Sequence, residues 1–445
     1  LPCKVPNLLL SQSLPEFSAY QTIKIAPDMA VPVTDRLLRL IDSQSYQRLR
    51  KIRQLSLSDK VFPTATHTRF GHGLGVYKNV LDYLSHLDHF PEFRRHFQET
   101  DYLAVMLAGL LHDLGHYPCS HQLDHIHPFP RHEALTIAII RGEIRIEGED
   151  LSALIRESFG LEPEHITRYL ESSAKLSGPQ QLLKQIIDSP IDADKCDYLP
   201  RDSYFCGLDF GTGFERQRFI RNLVPCHNTQ VLGIHEKGLL NAERFQLARY
   251  WMYRSVYWGH TVRAFITMLS KACEFFIDDL DASSFGENLL NFNDHSILEW
   301  LHGKVYGPGK ELIAMVHFKR APFKRLMTLA YYHNPEIYKR LQGEPARQRI
   351  SQWLCDWSKS KNWPWQDHHL IWDVPPTYKN DTWETFPIKL TNGLEQPIAN
   401  ESPIIEALSK AFLHGVRKIR LFCHPELAKL VQAHADEIPD YLDLI

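Results

Sequence analysis

AGLLHDLGHYPCSH, Ala108–His121, is the stretch on which the fold turns. Its first half completes DYLAVMLAGLLHDL (101–114), which is apolar on most faces and therefore predicts a central, buried helix. Its second half sets His112, Asp113, His116 and His121 at the end of that apolar run. His112 and His116 lie four apart and share a helical face, and Asp113 sits about 100° round from His112. Adjacent His and Asp side chains converge on one ion near a helix end, where Gly115 lets another group approach. A divalent cation held by mixed nitrogen and oxygen donors needs about two more ligands. His72, in HTRFGHGLGV, and Asp194, in IDADKCDYLPRDS, are the candidates. The alternative for each imidazole is a core histidine with its hydrogen bonds satisfied.

Outward from this stretch the pattern is mostly helical. Thr34–Leu55 (TDRLLRLIDSQSYQRLRKIRQL) carries Leu37, Leu38, Leu40, Ile41, Leu49, Ile52 and Leu55 at helical spacing. Further helices are predicted at 75–87, 131–141, 149–157, 163–172, 179–188, 215–222 and 241–280. Prolines 2, 6, 15, 27 and 32 mark residues 1–32 as irregular. Residues 275–296 are polar and loop-like, and 303–311 are turn-rich. HHLIWDVP, FPIKLT and VRKIRLFC, late in the chain, have strand composition. The predicted fold is mainly α: a helical bundle over 33–280, a helical extension over 281–345, and a smaller mixed α/β lobe over 346–445.

Composition narrows the function class. Of 445 residues, 44% are hydrophobic and 23% charged, as in ordinary globular chains. A net charge of -3 argues against a broad nucleic-acid-binding surface. Eight scattered cysteines with no C-x-x-C pair suggest neither a zinc ribbon nor a disulfide framework, so reduced thiols and a cytoplasmic setting are expected. No apolar run spans a bilayer, and LPCKVPNLLLSQSLPEF lacks a signal-peptide pattern. Because the chain opens with Leu, its natural amino terminus is expected upstream. Of 24 histidines, 11 fall between His67 and His132, which places the chemistry in that segment.

TRFGHGLGV, AGLLHDLGHYPCSHQLD, RHE and DADKCDYLPRDSYFCG occur in that order. Together they resemble the HD-domain deoxynucleoside triphosphate (dNTP) triphosphohydrolases, the dGTPase-like family that includes a vertebrate member with an added SAM domain. The resemblance runs from about Lys24 to Met268 and implies an HD-domain helical bundle. It implies hydrolysis of a dNTP to deoxynucleoside and intact triphosphate, with water attacking the α-phosphorus. His72, His112, Asp113 and Asp194 would be the ligands of a divalent metal (Mn, Fe, Mg, Zn, Ni or Co). His116, His121, Asp124 and His132 match the catalytic cluster, with His121 as proton donor to the 5′-oxygen; the alternative is that His121 and His132 cap helix ends. Arg69, Lys195 and Arg249 match phosphate-binding positions. Gln54, Tyr198 and Asp202 match the positions that bind the sugar hydroxyl, while Leu55 and Tyr257 match the wall that excludes a 2′-hydroxyl.

Two departures stand out. Relatives commonly continue the wall tyrosine with His-Lys two residues on, whereas this chain reads Tyr257-Trp258-Gly259-His260. Asp42, Gln47 and Arg50 match an activating-nucleotide pocket or form a polar helix face, while the upstream activator motif is degenerate at Asp28–Pro32. The implied partners are a dNTP substrate, an activating nucleotide and further copies of the chain (dimer, tetramer or hexamer), without membrane or nucleic acid. The competing functions are another HD phosphohydrolase, acting on phosphodiesters or nucleic-acid ends, and a non-catalytic nucleotide sensor.

Overall fold

Pro27 and Pro32 punctuate a hairpin rather than an irregular segment. β1 (Gln21–Ile25) pairs antiparallel with β2 (Met29–Val33), and Met29, Val31 and Val33 of β2 alternate inward. The computed structural model describes residues 9–437 apart from 172–173, 175, 177, 228, 277–281 and 376–384. The first eight residues of the segment expected to be irregular, with Cys3, lie outside the described residues, as do the ends of the helices expected at 163–172 and 241–280.

The single helix expected over Thr34–Leu55 is broken by its own caps. α1 (Asp35–Ile41) starts where the Thr34 hydroxyl accepts the Leu37 N–H, and Ser43 caps a new turn at Gln44–Gln47 that passes into a 3-10 turn, Arg48–Lys51. α2 (Arg69–Leu87) and α3 (Glu99–Leu111) then pack against each other, and α3 is buried continuously from Tyr102 to Leu111. α4 (Ser120–Leu123) and α5 (His132–Ile140) follow the HD stretch. α6 (Ala193–Phe205) was not foreseen, because Pro200 and a polar composition disguise it; Asp192 caps it by accepting the Lys195 N–H at 2.7 Å. β3 (Leu223–Cys226) and β4 (Val231–His235) form a second unforeseen hairpin. α7 (Leu239–Met252) runs through a π-helical turn, Tyr253–Tyr257, into α8 (His260–Cys273).

The stretch read as loop-like at 275–296 contains a helix at Ala282–Leu289, and the turn-rich 303–311 enters α9 (Pro308–His317). β5 (Lys324–Ala330), β6 (Leu370–Asp373), the hairpin β7 (Pro387–Lys389) with β8 (Glu395–Pro397), and β9 (Lys418–Cys423) complete the strands. β5, β9 and β6 make one antiparallel sheet in that order, while β7 pairs in parallel with β4 and so ties the carboxyl-terminal lobe back to the helical body. One continuous core runs from Leu14 to Phe422, and a second, of Leu329, Tyr338, Leu341, Ile350, Leu354 and Leu421 among others, belongs to the lobe. The second cluster takes in Leu329 of β5, Tyr338 and Leu341, which precede residue 346. The fold is mainly α with a smaller mixed lobe, as predicted. Among the described residues no helix is long and apolar enough to cross a membrane, and the seven described cysteines are buried free thiols.

Candidate functional site

α3 ends at Leu111, so His112 and Asp113 emerge where the helix stops, and α2 and α6 bring their own side chains to the same point. His72 Nε2 lies 3.0 Å from Asp194 Oδ1 and 3.8 Å from Asp113 Oδ2, and His112 Nε2 lies 3.3 Å from Asp113 Oδ1 and 3.8 Å from Asp194 Oδ1. Ligand atoms of His72, His112 and Asp194 are all within 4.8 Å of one another. Two glycines make this convergence sterically feasible. A Cβ on Gly115 would collide with the His132 carbonyl and the Thr136 N–H, and one on Gly75 with the Asp197 carboxylate.

The donor chemistry fits a divalent cation. His72 is 1% exposed, and burial works against its charged ring; hydrogen bonds to Asp194 and Asp197 nevertheless prevail and raise its pKa to about 10. In this negative field the imidazole holds a proton on the atoms a cation would use, so cation and proton compete for one place. Burial also opposes ionisation of Asp113, but His112, Arg69 and His116 hold its carboxyl well below the usual range. Sequence reasoning missed the partner that fixes the His72 tautomer: Asp197 Oδ2 lies 2.7 Å from His72 Nδ1 and is held in turn by a two-pronged Arg201, at 2.8 and 2.7 Å. On a helix, Asp194, Asp197 and Arg201 are spaced at three and four, so the signal was present once α6 is read as helical.

His72, His112, Asp113 and Asp194 open onto a cavity of about 670 Å³. Its walls also carry His116, His121 and His132 on one side, and Gln54, Leu55, Tyr198, Asp202 and Tyr257 on another. His132 Nδ1 is 2.7 Å from Asp124 Oδ2, and its ring stacks on His116 at 3.8 Å between centroids; His121 meets both edge-on, at 4.7 and 4.9 Å. The chain expected through His116, Asp124 and His132 is therefore part hydrogen bond, part ring stack. His121 is the exposed ring of the three, and its crowded surroundings, with Arg69 and His132 beside it, lower its pKa; burial and Arg69 lower that of His116 well below the usual imidazole range. Asp202 accepts from Tyr257 Oη at 2.7 Å and pairs with His67 at 2.8 Å, another residue not foreseen.

The expected phosphate cations are placed unequally. Arg69 lines the cavity and donates to Asp113 Oδ2 at 2.6 Å, while its Nε has no hydrogen-bond partner among the described residues. Lys195 and Arg249 are not among the lining residues. The reason for Lys195 is the helix cap, whose second oxygen, Asp192 Oδ2, takes its ammonium at 2.7 Å. Arg249 is buried on α7, 5.9 Å from the Tyr253 ring centroid. Outside the cavity, Gln47 donates to the Ile41 carbonyl at 2.8 Å and accepts from Arg50 at 2.8 Å, Arg50 lies 3.6 Å over the Phe70 ring, and Asp42 is exposed at the end of α1.

Comparisons with known proteins identify the family. The HD domain model matches residues 69–199, and the model described as HD associated region matches 214–444, more than half of the chain. An uncharacterized Bacillus subtilis protein, YwfO, is 33% identical over 54% of this chain and 52% of its own length, so the chain spans about half of that relative. The deoxynucleoside triphosphate triphosphohydrolase SAMHD1 of Bos taurus is 24% identical over 91% of this chain and 70% of its own. The crystal structure of a hypothetical protein from Aquifex aeolicus superposes with a TM-score of 0.71 at 26% identity, covering 93% of this chain and 99% of that one.

Proposed function

This chain belongs to the HD-domain family of metal-dependent hydrolases, and from that premise we propose that it cleaves dNTPs to deoxynucleoside and triphosphate. The observation that carries the reading is the meeting, in one cavity, of a His–Asp ligand set, three imidazoles in mutual contact and a Tyr–Asp–Gln wall.

A divalent cation held by His72, His112, Asp113 and Asp194 would supply positive charge to the phosphate oxygens and acidify water for attack. The chain's own residues do the rest. Arg69 turns from Asp113 to a phosphate oxygen once the Asp113 charge is otherwise balanced, and Lys195 and Arg249 add positive field from behind the wall. His121 faces the cavity beside Arg69, and a bound polyanion would favour the protonated ring, which can then donate to the leaving oxygen. Water attacks the α-phosphorus and releases a proton to solvent as the new P–O bond forms, the bond to the 5′-oxygen breaks, and that oxygen takes the His121 proton. Asp124 fixes the His132 ring, and the stack of His132 on His116 holds His121 in place. Gln54, Tyr198 and Asp202 hold the 3′-hydroxyl, while Leu55 and Tyr257 leave no room for a 2′-hydroxyl. An activating nucleotide at Asp42, Gln47 and Arg50 would have to part Gln47 from Arg50, and assembly of several copies belongs to the same reading.

The test is incubation with each dNTP and rNTP, singly and mixed, across divalent metals, with nucleoside and triphosphate separated by chromatography. Triphosphate from dNTPs alone, abolished in Asp113→Ala, supports the reading. Monophosphate or shortened oligonucleotide points to another HD phosphohydrolase, and no turnover at all to a sensor.

A further inference from the structure

Trp258, immediately before the chain departs from its relatives' pattern at Gly259, is held from outside the cavity. It follows the π-helical turn Tyr253–Tyr257, and Tyr253, Tyr257 and Trp258 all line the cavity. Its backbone N–H bonds to the Tyr253 carbonyl at 2.8 Å, but its own carbonyl accepts from Arg420 Nη2 at 2.7 Å, on β9 of the lobe. Arg420 donates through Nη1 to Asp373 Oδ2 at 3.0 Å, the residue directly opposite it on β6. Asp373 is 1% exposed and also takes Arg263 of α8, whose Nε lies 3.1 and 3.2 Å from its two oxygens and whose Nη2 lies 2.5 Å from Oδ1. The Arg263 guanidinium in turn lies 4.7 Å from the Trp258 ring centroid. Asp373 thus stands between two guanidiniums, and each guanidinium touches Trp258, one at the carbonyl and one at the ring.

We propose that Arg263, Asp373 and Arg420 are positioning residues through which the carboxyl-terminal lobe sets the cavity wall at Tyr257–Trp258, and with it affinity and sugar choice. The consequence for substrate rests on the dNTP reading above; the mechanical coupling does not. A buried carboxylate shared by two guanidiniums has a defined geometry, because Arg presents several donors in a rigid plane. Lysine at 420 keeps the charge but cannot reach Asp373 and the Trp258 carbonyl together. The wall tyrosine is one residue away and makes the 2.7 Å bond to Asp202, so play at Trp258 reaches the sugar site directly.

Two measurements on the full chain separate the claims. In hydrogen-exchange mass spectrometry without nucleotide, Arg420→Lys should speed exchange about tenfold across 253–263 and leave α2 and α3 unchanged, as expected for loss of one charge-assisted hydrogen bond. In steady-state kinetics, the same variant should raise KM for a dNTP about tenfold and narrow the dNTP over rNTP preference, with kcat within about twofold. Arg263→Lys, which keeps one bond to Asp373, should lie between wild type and Arg263→Met. Unchanged exchange at 253–263, or a fall in kcat with unchanged KM and sugar preference, overturns the proposal. Should wild type hydrolyse no dNTP, the substrate reading falls, and the exchange experiment still decides the coupling.

Discussion

The perturbation that reaches deepest into the site without touching a proposed metal ligand is Asp197→Asn. Asp197 sits behind His72, each about 1% exposed, and its carboxylate both orients the imidazole and neutralises Arg201. An amide oxygen can still accept from His72 Nδ1–H, but without charge the bond has roughly half its strength, and loss of such an outer partner costs about 10–100-fold in metal affinity. The same substitution leaves the Arg201 guanidinium, 3% exposed, without its counter-ion, at about 3–5 kcal/mol of stability. The two effects separate in Asp197→Asn/Arg201→Met, which removes the orphaned charge. Urea unfolding of the metal-free protein should show most of the stability regained in the double variant. Calorimetric titration with Mn²⁺ should show affinity still depressed by the same 10–100-fold, about 1.4–2.7 kcal/mol. Wild-type affinity in Asp197→Asn, or affinity that recovers together with stability, would refute the assignment of Asp197 to His72.

Other outcomes can be checked independently. His121→Ala should lower kcat by about 10²–10⁴-fold while a non-hydrolysable dNTP still binds, measured by single-turnover kinetics and titration. Gly115→Ala should cost 2 kcal/mol or more, roughly, because the added methyl meets the backbone at His132 and Thr136, and thermal unfolding reads it. Burial raises the Asp294 carboxyl from 3.8 to about 6, with the Arg53 N–H, at 2.7 Å, opposing. The folded state therefore binds this proton more tightly than the unfolded chain, and the stability it confers is present below about pH 4 and lost as pH rises through about 6. Asp294→Asn should accordingly exceed wild type by about 2–3 kcal/mol at pH 8 and match it at pH 4, by urea unfolding at both.

What was legible in the sequence and what was not follow from one distinction. His112 and Asp113 could be read because their spacing and the apolar run before them are local facts, and the helix does stop at Leu111. Asp194 could be read only through its surrounding motif, and its helix could not, since Pro200 and a polar composition conceal α6 until it is seen packed against Gly75 of α2. The same concealment hid Asp197 and Arg201, whose helical spacing means nothing until the segment is known to be a helix. Lys195 marks the converse limit. Its position beside Asp194 was legible, but its direction was decided by competition between the cavity and the Asp192 cap, and the cap is both nearer in sequence and already negative. Arg420 lies further still from reach, because its bond to Trp258 joins residues 162 positions apart across two lobes. A site assembled from α2, α3 and α6 is thus specified twice: once by ligand spacing that a sequence displays, and again by small residues and paired charges that only the packed chain makes intelligible. Gly75 belongs to both descriptions, since TRFGHGLGV carries it three residues after His72, where the Asp197 carboxylate needs the space a side chain would fill.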